Sequence, residues 1–457
     1  MGFMLNPAIF REYDIRGIAD EELRDPEVER IGRALATHLI RQSGRLLCLG
    51  RDCRLSGQRI HDALLKGMLA AGANVLDMGV GPTPLLYYSA VHFKAAGAIM
   101  ITGSHNPSEY NGIKTVCGSG TLHGEQIQHI LKMIQTGDFA SGTGSVKQVD
   151  AATPYVNEVA AQFAGLPRKV KVVFDAGNGT AGPTMRRILE KLNVEPIELF
   201  FEMDGRFPNH HPDPTVVSNL THLQQAVRQH KAELGIAFDG DSDRIGAVDE
   251  NGEVIYGDML MLIFGREILT RKPGATFIGE VKCSQIMYDK LAELGGKPIM
   301  YKTGHSLIKA KMKEEHAELA GEMSGHMFFA DRYHGFDDAL YAACRLIEIV
   351  ANSGKPLSHQ LAGIPKLVST PELRVDCPDD KKFQVVERVA AVVRQRHKVV
   401  DVDGVRAIFD QGWGLVRASN TQPVLVMRFE ATSEKLLADY RAELEGVVEE
   451  AKRATGI

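Results

Sequence analysis

Short apolar runs in this chain alternate with polar or glycine-bearing loops and amphipathic helical stretches, and one order of these recurs three times. The first copy runs from a strand at Leu46–Gly50 through a loop to a helix, then to a strand at Asn74–Leu76. The helix carries Ile60, Leu64, Met68 and Ala71, whose spacing of three or four residues makes one apolar stripe. The second copy runs Val170–Phe174, the loop Asp175-Ala176-Gly177-Asn178-Gly179, a helix with Met185, Ile188 and Leu192, and Ile197–Phe200. The third runs Ala275–Gly279, a loop near Lys282, a helix with Ile286, Leu291 and Leu294, and Pro298–Tyr301. Strand, helix and strand at this spacing predict right-handed βαβ crossovers with parallel pairing.

Each copy has its own apolar helix and its own polar loop. We therefore read three related α/β domains rather than one large sheet with insertions. After Gly363-Ile364-Pro365 the pattern becomes strand, helix, strand, strand, helix, with long helices over Lys381–Arg394 and Glu434–Lys452, an α+β arrangement. The expected domains are 1–153, 154–253, 254–365 and 366–457.

Length and composition agree with several cores. A chain of 457 residues exceeds what one hydrophobic core supports, and 44% hydrophobic with 24% charged residues is a globular balance. The net charge of −5 argues against nucleic acid or an anionic membrane as partner and leaves room for a small anionic substrate. Charge at Arg11 interrupts any signal-peptide core, Asn6 breaks the myristoylation pattern, and no apolar run reaches the length of a membrane span. The six cysteines are scattered without a CxxC pair, which fits reduced thiols and a cytoplasmic enzyme.

Ala98–Ile101 reads as a buried strand, and Thr102-Gly103-Ser104-His105-Asn106-Pro107 as the loop at its carboxyl end, where open parallel sheets bind ligands. From this stretch alone Ser104 is either a turn former or a participant in chemistry. Asp239-Gly240-Asp241-Ser242-Asp243-Arg244 lies between the apolar runs Leu234–Phe238 and Ile245–Val248. Three carboxylates at alternate positions can converge on a hard divalent cation, and without one they raise one another's pKa. Asp239, Asp241, Asp243 and Glu250 match positions of an EF-hand loop. Arg244 stands where that loop needs glycine, and the flanks read as strands, so the EF-hand is rejected. The carboxylates suit Mg²⁺, and Mg²⁺ beside a serine points to phosphoryl transfer with Arg244 stabilising the transferring group.

Arg417-Ala418-Ser419-Asn420-Thr421-Gln422-Pro423 follows a strand and offers a guanidinium fork, two hydroxyls and an amide, as a phosphate requires; a polar hairpin turn is the alternative. Gly321-Glu322-Met323-Ser324-Gly325-His326 places a carboxylate, a hydroxyl and an imidazole between glycines, a set suited to a diol. Lys282, His305, Lys114 and the segment Phe10-Arg11-Glu12-Tyr13-Asp14-Ile15-Arg16-Gly17 add cationic groups around a cleft that expects anions.

Taken together, TGSHNP (102–107), DGDSDR (239–244), GEMSGH (321–326) and RASNTQP (417–423), with FREYDIRG (10–17) and YNGIK (110–114), resemble the α-D-phosphohexomutase superfamily along nearly the whole chain. Within it the chain is most similar to the bacterial phosphomannomutase/phosphoglucomutase branch. Met323 and the Ser-Asn-Thr segment fit that branch better than the phosphoglucosamine mutases, which resemble GEQSGH with a Ser-Gly-Thr loop.

The resemblance implies four domains round a central cleft, three related α/β units and a different fourth. It implies that Ser104 is a phosphoserine and also a metal contact, and that Asp239, Asp241 and Asp243 bind Mg²⁺. Arg244 would lie over the transferring phosphate, and Glu322 and Ser324 would hold sugar hydroxyls, with Met323, Gly325 and His326 in the same loop. Tyr13, Lys282 and His305 would contact substrate, and Arg417, Ala418, Ser419, Asn420 and Thr421 would grip the distal phosphate. Lys114, Arg16 and His326 would handle protons or shape the electrostatics. The implied reaction exchanges the phosphoryl group between the 1- and 6-positions of mannose and glucose phosphates, through glucose or mannose 1,6-bisphosphate. A monomer is implied. The rival readings are a phosphoglucosamine mutase, a phosphosugar phosphatase and a phosphosugar-binding protein without turnover.

Overall fold

The computed structural model describes residues 5–118, 120–420 and 422–457. All three expected βαβ units form with parallel pairing. Leu46–Arg51 pairs with Asn74–Val80, Val170–Asp175 with Val194–Leu199, and Thr276–Glu280 with Lys297–Tyr301. Their crossover helices are Gly57–Ala70, Ala181–Leu189 and Gln285–Glu293.

The repeat is longer than the periodicity indicates. In each copy a second helix follows (Thr83–His92, Thr221–His230, His305–Glu314), then a third parallel strand (Gly97–Ile101, Leu234–Phe238, Leu319–Gly321). That strand then turns back into an antiparallel partner: Tyr110–Cys117, Ile245–Asp249 and Met327–Phe329. Apolar alternation marks a strand without giving its direction, so the return strands are legible as strands and not as hairpins. The loops containing Ser104, the three aspartates and Glu322 therefore occupy one topological position, the turn between the third parallel strand and its antiparallel return.

The C-terminal sheet has six strands, all paired antiparallel, against the fewer expected. Its helices Lys382–Arg396 and Glu434–Ala454 lie close to the predicted spans. The Arg417 segment again links antiparallel neighbours, Gly412–Ala418 and Val424–Ala431, so the hairpin reading of this loop is correct as topology.

The second and third repeats share one apolar core that also takes in Leu85, Tyr87 and Tyr88 of the first. The rest of the first repeat and the C-terminal unit keep their own cores. A small cluster, Val281 with Trp413 and Leu415, joins the C-terminal unit to the third repeat.

In the first repeat, helices Asp25–Gln42 and Gly57–Ala70 cross at glycines. A Cβ on Gly67 would lie 1.9 Å from the Glu29 carbonyl oxygen, and one on Gly32 would lie 2.3 Å from that of Leu64. This contact seats the helix that leaves the Asp52–Arg54 loop. We expect Gly67→Ala to cost about 1–3 kcal/mol through overpacking. Gly446→Ala, on an exposed helix position with nothing within 4 Å, should instead stabilise by about 0.5–1 kcal/mol. Thermal melts of the two variants should move in opposite directions.

Candidate active site

Ser104 is buried and sits at φ +48°, a left-handed conformation that a serine adopts at a cost of about 1–2 kcal/mol. Its Oγ donates to Asp239 Oδ2 at 2.8 Å, and its amide donates to Thr102 Oγ1 at 2.8 Å. The imidazole of His105 lies 3.2 Å from the same Oγ, and burial beside Arg244 holds this ring neutral. The loop bearing the three aspartates approaches so closely that a Cβ on Gly240 would lie 2.5 Å from the Ser104 carbonyl oxygen.

Asp239, Asp241 and Asp243 are each fully buried, and an oxygen from each lies within 4.8 Å of the others. Asp239 Oδ1 accepts from the amides of Asp243 and Arg244, both at 3.1 Å. Asp241 Oδ2 accepts from Thr83 Oγ1 at 2.5 Å and Lys114 Nζ at 2.8 Å, and Asp243 Oδ2 accepts from Lys114 at 2.6 Å. Burial and the two neighbouring carboxylates push Asp239 well above the usual carboxylate range. For Asp241 burial acts the same way, but Lys114, Thr83 and Ser104 overcome it and hold the group low. Lys114 would lose affinity for its proton on burial, yet Asp241 and Asp243 together raise its pKa, so it is a fixed cation. Asp241 Oδ1 and Asp243 Oδ1 are buried with no hydrogen-bond partner. Two orphaned carboxylate oxygens in a hard-donor cluster fit a divalent cation. Glu250 instead accepts from Ser358 Oγ at 2.5 Å, away from the aspartates.

The Glu322 loop docks on this one through backbone. The amide of Ile245 donates to the Gly325 carbonyl at 3.0 Å, and Gly325 at φ +94° has Ile245 O 2.2 Å from where a Cβ would stand. Arg244 Nε donates to His326 Nε2 at 3.0 Å. Nε2 is the acceptor in this bond, and the other ring nitrogen, Nδ1, lies 3.1 Å from Asp337 Oδ2. His326 stacks on His305 with centroids 5.6 Å apart, and His305 meets Tyr13 edge-on at 5.9 Å. Asn420 Nδ2 donates to the Tyr13 hydroxyl at 2.7 Å, and that hydroxyl donates to Thr303 O at 2.9 Å. Residues from the N-terminal segment and from all four expected sites thus form one unbroken chain of contacts, Ser104–Asp239–Arg244–His326–His305–Tyr13–Asn420.

Around it, Glu322 Oε1 accepts from the Gly304 amide at 2.7 Å, while Met323 and Ser324 are half-buried in the same loop. Arg16 donates to Asn106 Oδ1 at 2.9 Å and pairs with Asp14. Lys282 lies 3.1 Å from Glu372 and 3.4 Å from Glu280. Arg417 Nε donates to Asp403 Oδ2 at 2.9 Å; Ala418 and Ser419 are buried beside it, and Thr421 lies outside the described residues. Asp52, Arg54, Thr83, Asp337 and Asp403 escaped the sequence reading. Asp52 and Arg54 stand in a loop at the carboxyl end of a parallel strand, the same position that singled out Ser104, and that signal was available.

Family models for phosphoglucomutase/phosphomannomutase match four segments in order: α/β/α domain I over residues 7–141, domain II over 153–252, domain III over 256–367 and the C-terminal domain over 372–447. The chain belongs to this family. A phosphomannomutase/phosphoglucomutase of Pseudomonas aeruginosa is 44% identical over 95% of this chain and 94% of its own. A phosphoglucomutase of Neisseria gonorrhoeae is 42% identical, with 96% of both chains covered. The crystal structure of a phosphoglucomutase/phosphomannomutase family protein from Burkholderia thailandensis superposes with a TM-score of 0.93 at 42% identity, covering 98% of both chains. Membership in the phosphoglucomutase/phosphomannomutase family accounts for the repeated hairpin loops and for the different fourth unit. No helix among the described residues is long and apolar enough to cross a membrane.

Two outcomes test the site. Gly240→Ala would force the aspartate loop off Ser104 O, and we expect activity to fall by about 100-fold while the fold is kept, as circular dichroism would show. Lys282 draws the Glu372 carboxyl down to about 2, so its ion pair stabilises the fold above pH 4.5 and loses that effect as pH falls toward 2. The melting-temperature advantage of the native chain over Glu372→Gln should shrink across that window.

Proposed function

We propose that this protein is a phosphohexomutase that interconverts the 1- and 6-phosphates of glucose and mannose, with Ser104 as the phosphate carrier. The observation that carries the reading is the Ser104 hydroxyl directed at Asp239, at one end of a contact chain that reaches Asn420 of the Arg417 loop.

In the forward half-reaction the Oγ–phosphorus bond of phosphorylated Ser104 breaks, and a bond forms from phosphorus to the free hydroxyl oxygen of the sugar monophosphate. The proton of that hydroxyl goes to His326 Nε2, whose lone pair is released when Arg244 turns to the incoming phosphoryl oxygens. Lys114 stays protonated and supplies fixed positive charge. Asp239, Asp241, Asp243 and phosphorylated Ser104 would hold Mg²⁺, which when bound withdraws charge from the phosphoryl group. The resulting 1,6-bisphosphate turns end for end, and its other phosphate returns to Ser104.

One phosphate grip serves both orientations. The phosphate that is not reacting sits with Arg417, Ser419 and Asn420, while Glu322 and Ser324 hold the two hydroxyls common to both poses. Those are O3 and O4, which leaves C2 unread and makes glucose and mannose equivalent. A phosphoserine and a sugar 6-phosphate are both simple phosphate esters, so transfer is near balance in each direction.

Purified protein with Mg²⁺ and trace glucose 1,6-bisphosphate should convert glucose 1-phosphate to glucose 6-phosphate, and mannose 1-phosphate likewise, without releasing inorganic phosphate. Ser104→Ala should lower kcat by more than about 10³-fold, and chelation should remove activity that Mg²⁺ restores. Stoichiometric phosphate release would make the protein a phosphatase, and a faster reaction with glucosamine 1-phosphate would make it a phosphoglucosamine mutase.

A further inference from the structure

Arg54 takes no part in the chemistry above, yet it is the most heavily committed side chain beneath the Ser104 loop. It is fully buried, and its guanidinium donates to four carbonyl oxygens of one short segment: Ser104 at 2.7 Å, Asn106 at 2.5 Å, Pro107 at 2.5 Å and Tyr110 at 3.0 Å. Asp52 completes the cradle. Its Oδ2 accepts from the Gly103 amide at 3.1 Å and lies 3.2 Å from Arg54 Nε, and its Oδ1 accepts from the Arg54 amide at 2.9 Å.

The loop is shaped around this side chain. A Cβ on Gly103 would stand 2.5 Å from the guanidinium carbon, so the glycine is what gives Arg54 room. On the other side the ring of Phe207, from the second repeat, lies 5.2 Å from the guanidinium carbon. Gly205 brings the backbone of that segment against Cys53 and Arg54, where a Cβ would meet Cys53 O at 2.5 Å. Carbonyls turned inward to a single cation cannot turn outward to water, and this fixes Ser104 at its positive φ.

We propose that Arg54 is a positioning residue for phosphoryl transfer: with Asp52 it gathers the carbonyls of the Ser104 loop, holds Ser104 Oγ on Asp239, and through Phe207 ties that geometry to the second repeat. The proposal rests on Ser104 being the phosphate carrier. A planar five-donor fork reaches oxygens spread over seven residues of chain. A lysine ammonium concentrates its donors at one point and does not replace it.

The test uses the full-length Arg54→Lys variant with Mg²⁺, at a temperature where circular dichroism shows it folded. We expect kcat for glucose 1-phosphate to fall about 100-fold with KM within threefold, since the displaced group is the reacting one and the distal grip is untouched. Phosphorylation of Ser104 by glucose 1,6-bisphosphate, read by intact mass, should slow by the same factor. Hydrogen exchange at the amides of Gly103, Ser104 and Asn106, measured without substrate, should quicken while the core strands stay protected. A folded variant with kcat within threefold of native, or a loss carried by KM alone, overturns the proposal. The exchange readout needs no activity, so it separates failure of this proposal from failure of the mutase reading. If Arg54→Lys does not fold, Phe207→Leu loosens the same guanidinium from its outer side. It should lower kcat several-fold at constant KM, and an unchanged kcat overturns the proposal equally.

Discussion

Three aspartates share a space from which water is excluded, and the site is organised around that concentration of negative charge. Unpaired, such groups would protonate or force the loops apart. Lys114 answers Asp241 and Asp243, the Arg244 and Asp243 amides answer Asp239, and Thr83 and Ser104 donate hydroxyl protons. Lys114 and Ser104 come from the first repeat and the aspartates from the second. The electrostatic requirement of one loop therefore fixes how two domains meet, and leaves two oxygens without partners where a cation fits.

The rest of the cleft follows from one topological device used four times. A hairpin turn at the end of a buried strand presents a short loop with both stems clamped by sheet hydrogen bonds, so its side chains are placed with little freedom. Glycines then bring the loops together: Gly240 on the Ser104 backbone, Gly325 on the Ile245 backbone and Gly304 against the Tyr13 ring. The C-terminal unit reaches the third repeat differently. Arg406 donates to the carbonyls of Val281 and Cys283, and Arg428 to that of Lys282, while Trp413 lies under the Arg406 guanidinium at 3.7 Å. Buried arginines thus hold carbonyls beneath both the serine loop and the Lys282 loop, a solution that serves wherever a functional loop must be rigid without being part of a sheet.

Much of this was legible beforehand. The crossovers at Leu46–Arg51, Val170–Asp175 and Thr276–Glu280 announce themselves by apolar runs of strand length followed by helical stripes. The aspartates and the Arg417 segment stand out by local residue chemistry. The antiparallel return strands do not, because Tyr110–Cys117 and Ile245–Asp249 carry the same pattern as a parallel strand would. Asp337, which faces His326, and Asp403, which holds Arg417, each lie within two residues of another aspartate, in stretches that carry no recognisable motif. Only their partners in the folded chain make them informative.

By itself the sequence determined which residues can bear charge, donate or accept, and where the chain must be strand, helix or tight turn, since those properties are local. It did not determine which charge answers which. That Lys114 neutralises Asp241 rather than lying in solvent, that Ser104 turns its hydroxyl to Asp239, and that Arg54 commits both terminal guanidinium nitrogens to four carbonyls were settled when the domains packed. Exclusion of water is a property of the assembled cleft, and it converts ordinary polar side chains into a set with one low-energy arrangement.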